Sequence, residues 1–301
     1  MASAWLTAMP VLAGAGFASI GLCYRYGQNR GVMPCHILFI VGVVASAVLT
    51  PSAAGSPWSI LSPALVVLAV LSGLGQAVCT RLIAPALKRG PLSPLWCAIS
   101  LAFLPMILYG AWFRGRPIGP LQYVAILTGV ACVVVASMRR QGGSPGVPGK
   151  VEGTWDAIVY GGILLALLLL NALPGFGYEE IGLLRCPEAT QNAVSAKFLL
   201  IMYACMSAGI ALDTGLSGQY RAPLRLALLL GGISAAGSLT GMLCNAAACA
   251  GSSSGIVFTI SGVSGIVLVA TISVLALGEK PNVFWVASVA LGLATVLLGK
   301  G

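Results

Sequence analysis

The sequence predicts an all-α membrane protein, with ten transmembrane helices as two inverted five-helix repeats. Three observations predict it. The 301 residues are 58% hydrophobic and only 8% charged, with a mean hydropathy of +0.98, too little polar surface to cover a water-soluble globule. Apolar runs near the roughly 20 residues that cross a hydrocarbon core about 30 Å thick recur along the whole chain. The turn Leu277-Gly278-Glu279-Lys280-Pro281 also has an earlier echo in Phe113-Arg114-Gly115-Arg116-Pro117.

The echo extends beyond the turns. Gly129 follows Gly115 at the interval by which Gly292 follows Gly278, and the helix upstream of each turn carries Ile-Ser, as Ile99-Ser100 and Ile260-Ser261. These features mark a duplicated unit: a first repeat over 1–140, a linker over 141–153 and a second repeat over 154–301. Five spans in the first repeat bring the second in from the opposite face, so the repeats are inverted.

The first run is read as a helix over Ala4 to Leu22, since no basic segment precedes it as in a cleaved signal peptide. The second covers Pro34 to Thr50, with the lone His36 near its start in an interfacial structural role. An uncharged Ser/Ala/Gly/Pro turn leads to a third helix from Leu61 into the eighties, which carries Gln76 and Arg81. The fourth, Leu92 to Trp112, contains Pro105 and is expected to kink there. The fifth runs from Leu121 to Ser137.

Arg139 to Gly153 has no apolar period and reads as a linker. The sixth helix covers Trp155 to Leu173, and the polar stretch from Pro174 to Asn192, with Glu179, Glu180, Arg185 and Glu188, reads as a connection at the solvated interface. The seventh helix covers Ala193 to Leu212 and ends at Asp213. The eighth, Leu224 to Ala248, is rich in small residues, and the Gly237-xxx-Gly241 spacing admits another backbone. The ninth and tenth, Ser254 to Leu275 and Asn282 to Leu298, form a tight hairpin about Gly278 and Pro281. The nine cysteines mostly lie inside apolar runs and read as small buried hydrophobes.

The duplicated turn, Leu-Gly-Glu-Lys-Pro before a Gly-containing last helix, resembles the drug/metabolite transporter superfamily in its ten-helix, EamA-like form. The first repeat departs from that pattern, with Arg116 where the family usually has glutamate. The resemblance implies two EamA-like repeats and a multi-pass transporter. The first helix lacks the essential glutamate that the four-helix multidrug members place there.

Connections 1–2, 3–4, 5–6, 7–8 and 9–10 hold ten Lys and Arg: Arg25, Arg30, Lys88, Arg89, Arg139, Arg140, Lys150, Arg221, Arg225 and Lys280. The opposite side holds five, Arg114, Arg116, Arg185, Lys197 and Lys300. The positive-inside rule turns the richer side to the cytosol and both termini outward, whereas ten-helix relatives are expected to keep their termini in the cytosol. The net charge of +9 is read as this orientation signal and not as a nucleic-acid footprint. The expected location is a cell or inner membrane, and the bilayer is the obligatory partner.

No enzyme is expected. One histidine and seven scattered acids supply neither a nucleophile with its base nor a set of metal ligands, and no catalytic residue, metal or cofactor is assigned. No nucleotide-binding Gly-x-x-x-x-Gly-Lys-[Ser/Thr] run is present either. The expected function is a secondary transporter that moves a small organic metabolite by alternating access without ATP hydrolysis. The competing class is a scaffold or regulatory subunit with the same fold, and oligomeric state, a homodimer included, is left open.

Candidate substrate-binding residues are the polar groups within apolar runs: Gln76, Arg81, Ser100, Asn245 and Ser261. Arg81 has two readings. Its side chain either reaches the interface near Lys88, or joins Gln76 opposite Asn245 to hold an anionic or zwitterionic substrate. No Asp or Glu falls inside the ten cores so drawn, which predicts that no buried carboxylate is an obligatory proton carrier and favours facilitated diffusion or exchange.

Overall fold

A computed structural model describes residues 2–90, 92–115, 118–137, 154–184, 187–217, 222–251 and 254–298. The linker at 141–153, and with it Arg139, Arg140 and Lys150, lies outside the described residues, as do Arg116, Arg185, Arg221 and Lys300. Among the described residues there are eleven α-helices and no strand: α1 (Ala2–Gln28), α2 (Pro34–Ala54), α3 (Pro63–Arg89), α4 (Leu92–Ser100), α5 (Phe103–Arg114), α6 (Pro120–Ser137), α7 (Thr154–Gly182), α8 (Glu188–Ser217), α9 (Leu224–Gly251), α10 (Ser254–Leu275) and α11 (Val283–Leu298). Six apolar stretches are long enough to cross a membrane: α2, α3, α4 with α5, α7, α8 and α9. α6, α10 and α11 are apolar but shorter.

The surface follows from the bilayer as solvent. Val48, Val67, Leu127, Leu165, Leu229 and Leu297 are exposed on the outer faces of six different helices, while Ser72, Thr80, Ser93, Ser234 and Thr295 are buried between helices. Lipid offers no hydrogen bond, so polar side chains turn inward and aliphatic ones outward. Cys23, Cys35, Cys79, Cys97 and Cys132 are buried, as small hydrophobes would be.

Small residues set the helix contacts. A Cβ built on Gly16 of α1 would lie 2.4 Å from the carbonyl oxygen of Gly237 on α9, and one on Gly237 would lie 2.5 Å from that of Gly16. The two backbones therefore touch, and Gly241 packs on the ring of Phe17 one turn on. The duplicated turns share a backbone state as well: Gly115 and Gly278 have φ of 61° and 66°.

Several helix ends differ from the sequence reading; α1 runs past Leu22 to Gln28 and takes in Arg25, and α2 runs through Pro51 to Ala54. Pro174 does not stop α7, which continues to Gly182; a chain within a bilayer gains nothing by unwinding where no water replaces its bonds. α8 starts at Glu188 and ends at Ser217, beyond the expected Ala193 to Leu212, which brings Asp213 inside the helix. Pro105 produces an interruption and not a kink: it cannot donate to the Leu101 carbonyl, and the helix breaks between Ser100 and Phe103. Asn282 precedes α11 and caps it, with its Oδ1 accepting the Trp285 N–H at 2.9 Å.

Lys197 shows how the fold absorbs a charge. It lies fully buried in α8, donates to the carbonyl of Ala53 and, at 2.8 Å, to that of Ser56, and sits 4.4 Å from the centre of the Trp58 ring. The ammonium thus meets the negative end of α2 and an aromatic face. His36 is local, its Nδ1 accepting the Met33 N–H at 3.1 Å ahead of α2.

Candidate functional site

A cavity of about 190 Å³ lies at the middle of the bundle. Nine helices wall it, because their small residues and bulky aromatics cannot fill the centre together. α1 brings Phe17 and Tyr24, α4 and α5 bring Trp96 and Phe103, and α7, α8 and α10 bring Tyr178, Tyr203 and Phe258. Four methionines complete the wall: Met106, Met202, Met206 and Met242. Thioethers on unbranched chains adapt to varied shapes and lie well against rings.

The α4–α5 interruption opens onto this space, with Ser100, Ala102 and Phe103 all on the wall. Irregular backbone at membrane depth is tolerated where it faces a cavity or protein, and here it faces both. Beside it, α10 contributes Ser261, Gly262 and Gly265, and a Cβ on Gly262 would lie 3.8 Å from the Ser100 carbonyl oxygen. Pro174 and Gly175 place the proline of α7 on the same wall.

Four of the five residues singled out in the sequence meet here: Gln76, Ser100, Asn245 and Ser261 all line the cavity. Gln76 Nε2 donates to Asn171 Oδ1 at 3.2 Å, and Asn171 Nδ2 donates to the Leu167 carbonyl at 2.8 Å. The hydroxyls of Tyr203 and Ser238 are 2.7 Å apart. Asn245 is 2% exposed, and its Oδ1 is buried without a hydrogen-bond partner.

Arg81 is elsewhere. It does not line the cavity, and its guanidinium pairs with the Asp213 carboxylate on α8, Nη2 donating to Oδ1 at 2.7 Å. The cause is helical phase: five residues separate Gln76 from Arg81, about 140° at 3.6 residues per turn, so the two cannot face the same way. Both partners are well exposed, at 40% and 36%, on the outside of the bundle. Among the described residues no charged side chain lines the cavity.

Asn171 was not singled out, although its signal was present as a lone carboxamide in the leucine run before Pro174. The aromatic and methionine wall has no such signature. In a sequence this apolar, nothing marks which rings face lipid and which face a space.

One end of the bundle is tied together beyond the cavity. Glu279, in the turn between α10 and α11, accepts the Leu92 N–H at 2.7 Å and so caps α4. Its carboxylate also receives the Ser93 hydroxyl, which is 2.6 Å from that of Ser273. Arg25 at the end of α1 lies 3.9 Å from Glu279 and donates to the Leu87 carbonyl at 2.8 Å. Gln28 donates to Ala84 beside it. Toward the other end of α5 and α7, Tyr109 donates to Glu180 at 2.5 Å and stacks on Phe113 and Phe176.

No family model and no curated protein matches the chain. Fourteen chains of solved structure do. One, described only as the crystal structure of a protein, superposes with a TM-score of 0.58 over 97% of this chain and 95% of its own, at 18% sequence identity. That likeness is one of fold, and it extends over both halves of the chain.

Proposed function

We propose that the protein is a secondary transporter that moves a small organic molecule across a membrane by alternating access, without ATP hydrolysis. The observation that carries this reading is the central cavity: it is walled by helices from both halves and includes a broken helix in its wall, with the Arg25–Glu279 tie joining helix ends beyond it. A structural scaffold has no use for a space at the centre of its bundle.

The architecture proposed with it has ten crossings, counting α4 with α5 as one, in two inverted repeats of the drug/metabolite transporter kind. Packing supports it. Exchanging α1 with α7, α2 with α8, α3 with α9, α4–α5 with α10, and α6 with α11 turns the α1–α9 contact into α7–α3, α1–α10 into α7 with α4–α5, and α2–α9 into α8–α3. All of these contacts exist, and the α2–α8, α6–α11 and α4–α10 pairs map onto themselves. Repeats of five crossings each are necessarily inverted, and the cavity then lies on their pseudo-twofold axis.

The test is counterflow. Proteoliposomes preloaded with a panel of unlabelled metabolites and diluted into labelled ones are expected to show saturable uptake above protein-free vesicles, with no requirement for ATP. Flux equal to that of protein-free vesicles across the panel refutes the carrier and leaves the scaffold or regulatory subunit.

A further inference from the structure

We infer that the central cavity reads a hydrogen-bond acceptor on its ligand, an uncharged carbonyl, through the indole N–H of Trp96, in a slot that Gly265 leaves open. The carrier reading gives this site its purpose, and the packing of α1, α4 and α10 gives its chemistry.

Trp96 is 6% exposed and is held from two sides. Its six-membered ring lies against α1, where a Cβ on Gly21 would come within 2.6 Å of Cε3 and Cζ3. Its Nε1 edge turns to α10, where a Cβ on Gly265 would lie 3.7 Å away. Because that position is glycine, it has no side chain to cover the N–H. Among the described residues the N–H finds no acceptor, and it is not one of the fully covered atoms, so it opens on the cavity that Trp96 and Gly265 both line. A buried indole N–H ordinarily has a partner, and here the open side is the cavity, so the partner comes from whatever occupies it.

The direction of the bond follows from the donor types. An indole nitrogen can only donate. The Tyr24, Ser100 and Ser261 hydroxyls, also unpaired on the wall, can donate or accept, as can the free edge of the Gln76 carboxamide, so they set no direction of their own. The unpartnered Asn245 Oδ1 is covered and out of a ligand's reach. Ser100 stands one turn beyond Trp96 on α4, and Ser261 one turn before Gly265 on α10, which puts both hydroxyls on the faces that border the slot. Among the described residues no charged side chain lines the cavity, so the acceptor that gains most is a neutral carbonyl; a carboxylate would give up its water for one N–H and no counter-charge.

A matched series tests this. Acetophenone carries a carbonyl and no donor on a flat ring; 2-phenylpropene has the same skeleton with C=CH2 in place of C=O; benzoate adds the charge. Equilibrium dialysis of each labelled probe against the full-length protein in nanodiscs, referred to the same probe's partition into empty nanodiscs, is expected to show saturable binding of acetophenone. On that scale 2-phenylpropene should bind about fivefold to tenfold more weakly, the share of one hydrogen bond, and benzoate should not compete. Trp96→Phe keeps a ring and removes the N–H, so the ketone and the alkene should bind alike. Gly265→Ser keeps the indole and sets a hydroxyl beside Nε1, which should occupy the N–H and likewise erase the preference. Gly265→Ala adds the Cβ alone and should leave the preference in place. A side chain fits there, since its Cβ would meet the Gly14 carbonyl oxygen at an ordinary 3.5 Å.

Equal or weaker binding of the ketone to the wild type overturns the inference, as does tighter binding of benzoate, no saturable binding of acetophenone, or a preference that persists in Trp96→Phe. If Trp96→Phe does not fold, the two Gly265 variants decide: a preference lost in the serine variant alone supports the site, and the same ratio in both overturns it. Carbonyl-selective binding without counterflow would refute the carrier and leave the site standing. Counterflow with no carbonyl preference would do the reverse.

Discussion

The Arg81–Asp213 pair and Asn245 show how differently a polar group is treated on the two sides of a membrane bundle. The pair lies on the outside, where each side chain neutralises the other. Either Arg81→Gln or Asp213→Asn should lower the melting temperature in detergent, and the exchanged pair Arg81→Asp with Asp213→Arg should recover most of the loss. Because the guanidinium does not reach the cavity, Arg81→Gln should leave the substrate range seen in counterflow unchanged. At α11, Asn282→Ala removes the acceptor of the Trp285 N–H and should destabilise the protein by about 1 kcal/mol in a denaturant titration.

At the scale of the helix, glycines divide into two kinds. Gly16 and Gly237 lie in backbone contact, and a side chain at either must push α1 from α9, so Gly237→Val should abolish the monodisperse species on size-exclusion chromatography. Gly232, five residues before Gly237, would meet nothing within 4 Å of a Cβ. Gly232→Ala should fold normally and gain up to about 1 kcal/mol from helix propensity. Both residues look alike in the sequence, and only the partner helix separates them. The small-residue spacing of α9 was nonetheless readable in advance, as were most helices, because an uncharged run in a membrane chain has few other fates. What was not readable was where helices continue. Pro174 looked like a stop because prolines end helices in water, where the freed carbonyl finds a solvent partner. That error hid Glu179 and Glu180 in a supposed loop, and the early end given to α8 likewise hid the partner of Arg81.

For the whole molecule, the tie beyond the cavity is the feature that the proposed carrier would have to undo. Arg25, Leu87, Leu92, Ser93, Ser273 and Glu279 join the ends of α1, α3, α4 and α10 through one carboxylate. In Glu279→Gln the cap on Leu92 weakens and the charge facing Arg25 is lost, so backbone amide exchange at Leu92 and Ser93 should quicken while the middle of α8 is unaffected. A Leu92 amide that exchanges at the wild-type rate would show that the carboxylate does not hold this end. The site was partly legible at this scale: Gln76, Ser100, Asn245 and Ser261 were few and polar in apolar runs, and they converge. The ring and methionine wall was not, since which face of an apolar helix looks inward depends on the partners assembled around it.

The contact between Gly16 and Gly237 also governs when the protein can fold. Gly16 leaves the ribosome well before Gly237, yet α1 has its main partners in α9 and α10 and only a minor one in α2. Until α9 is made, α1 therefore waits in the bilayer with its small-residue groove open to lipid. A nascent chain halted before Leu224 has no surface to fill that groove, and it should be the form that quality-control proteases remove.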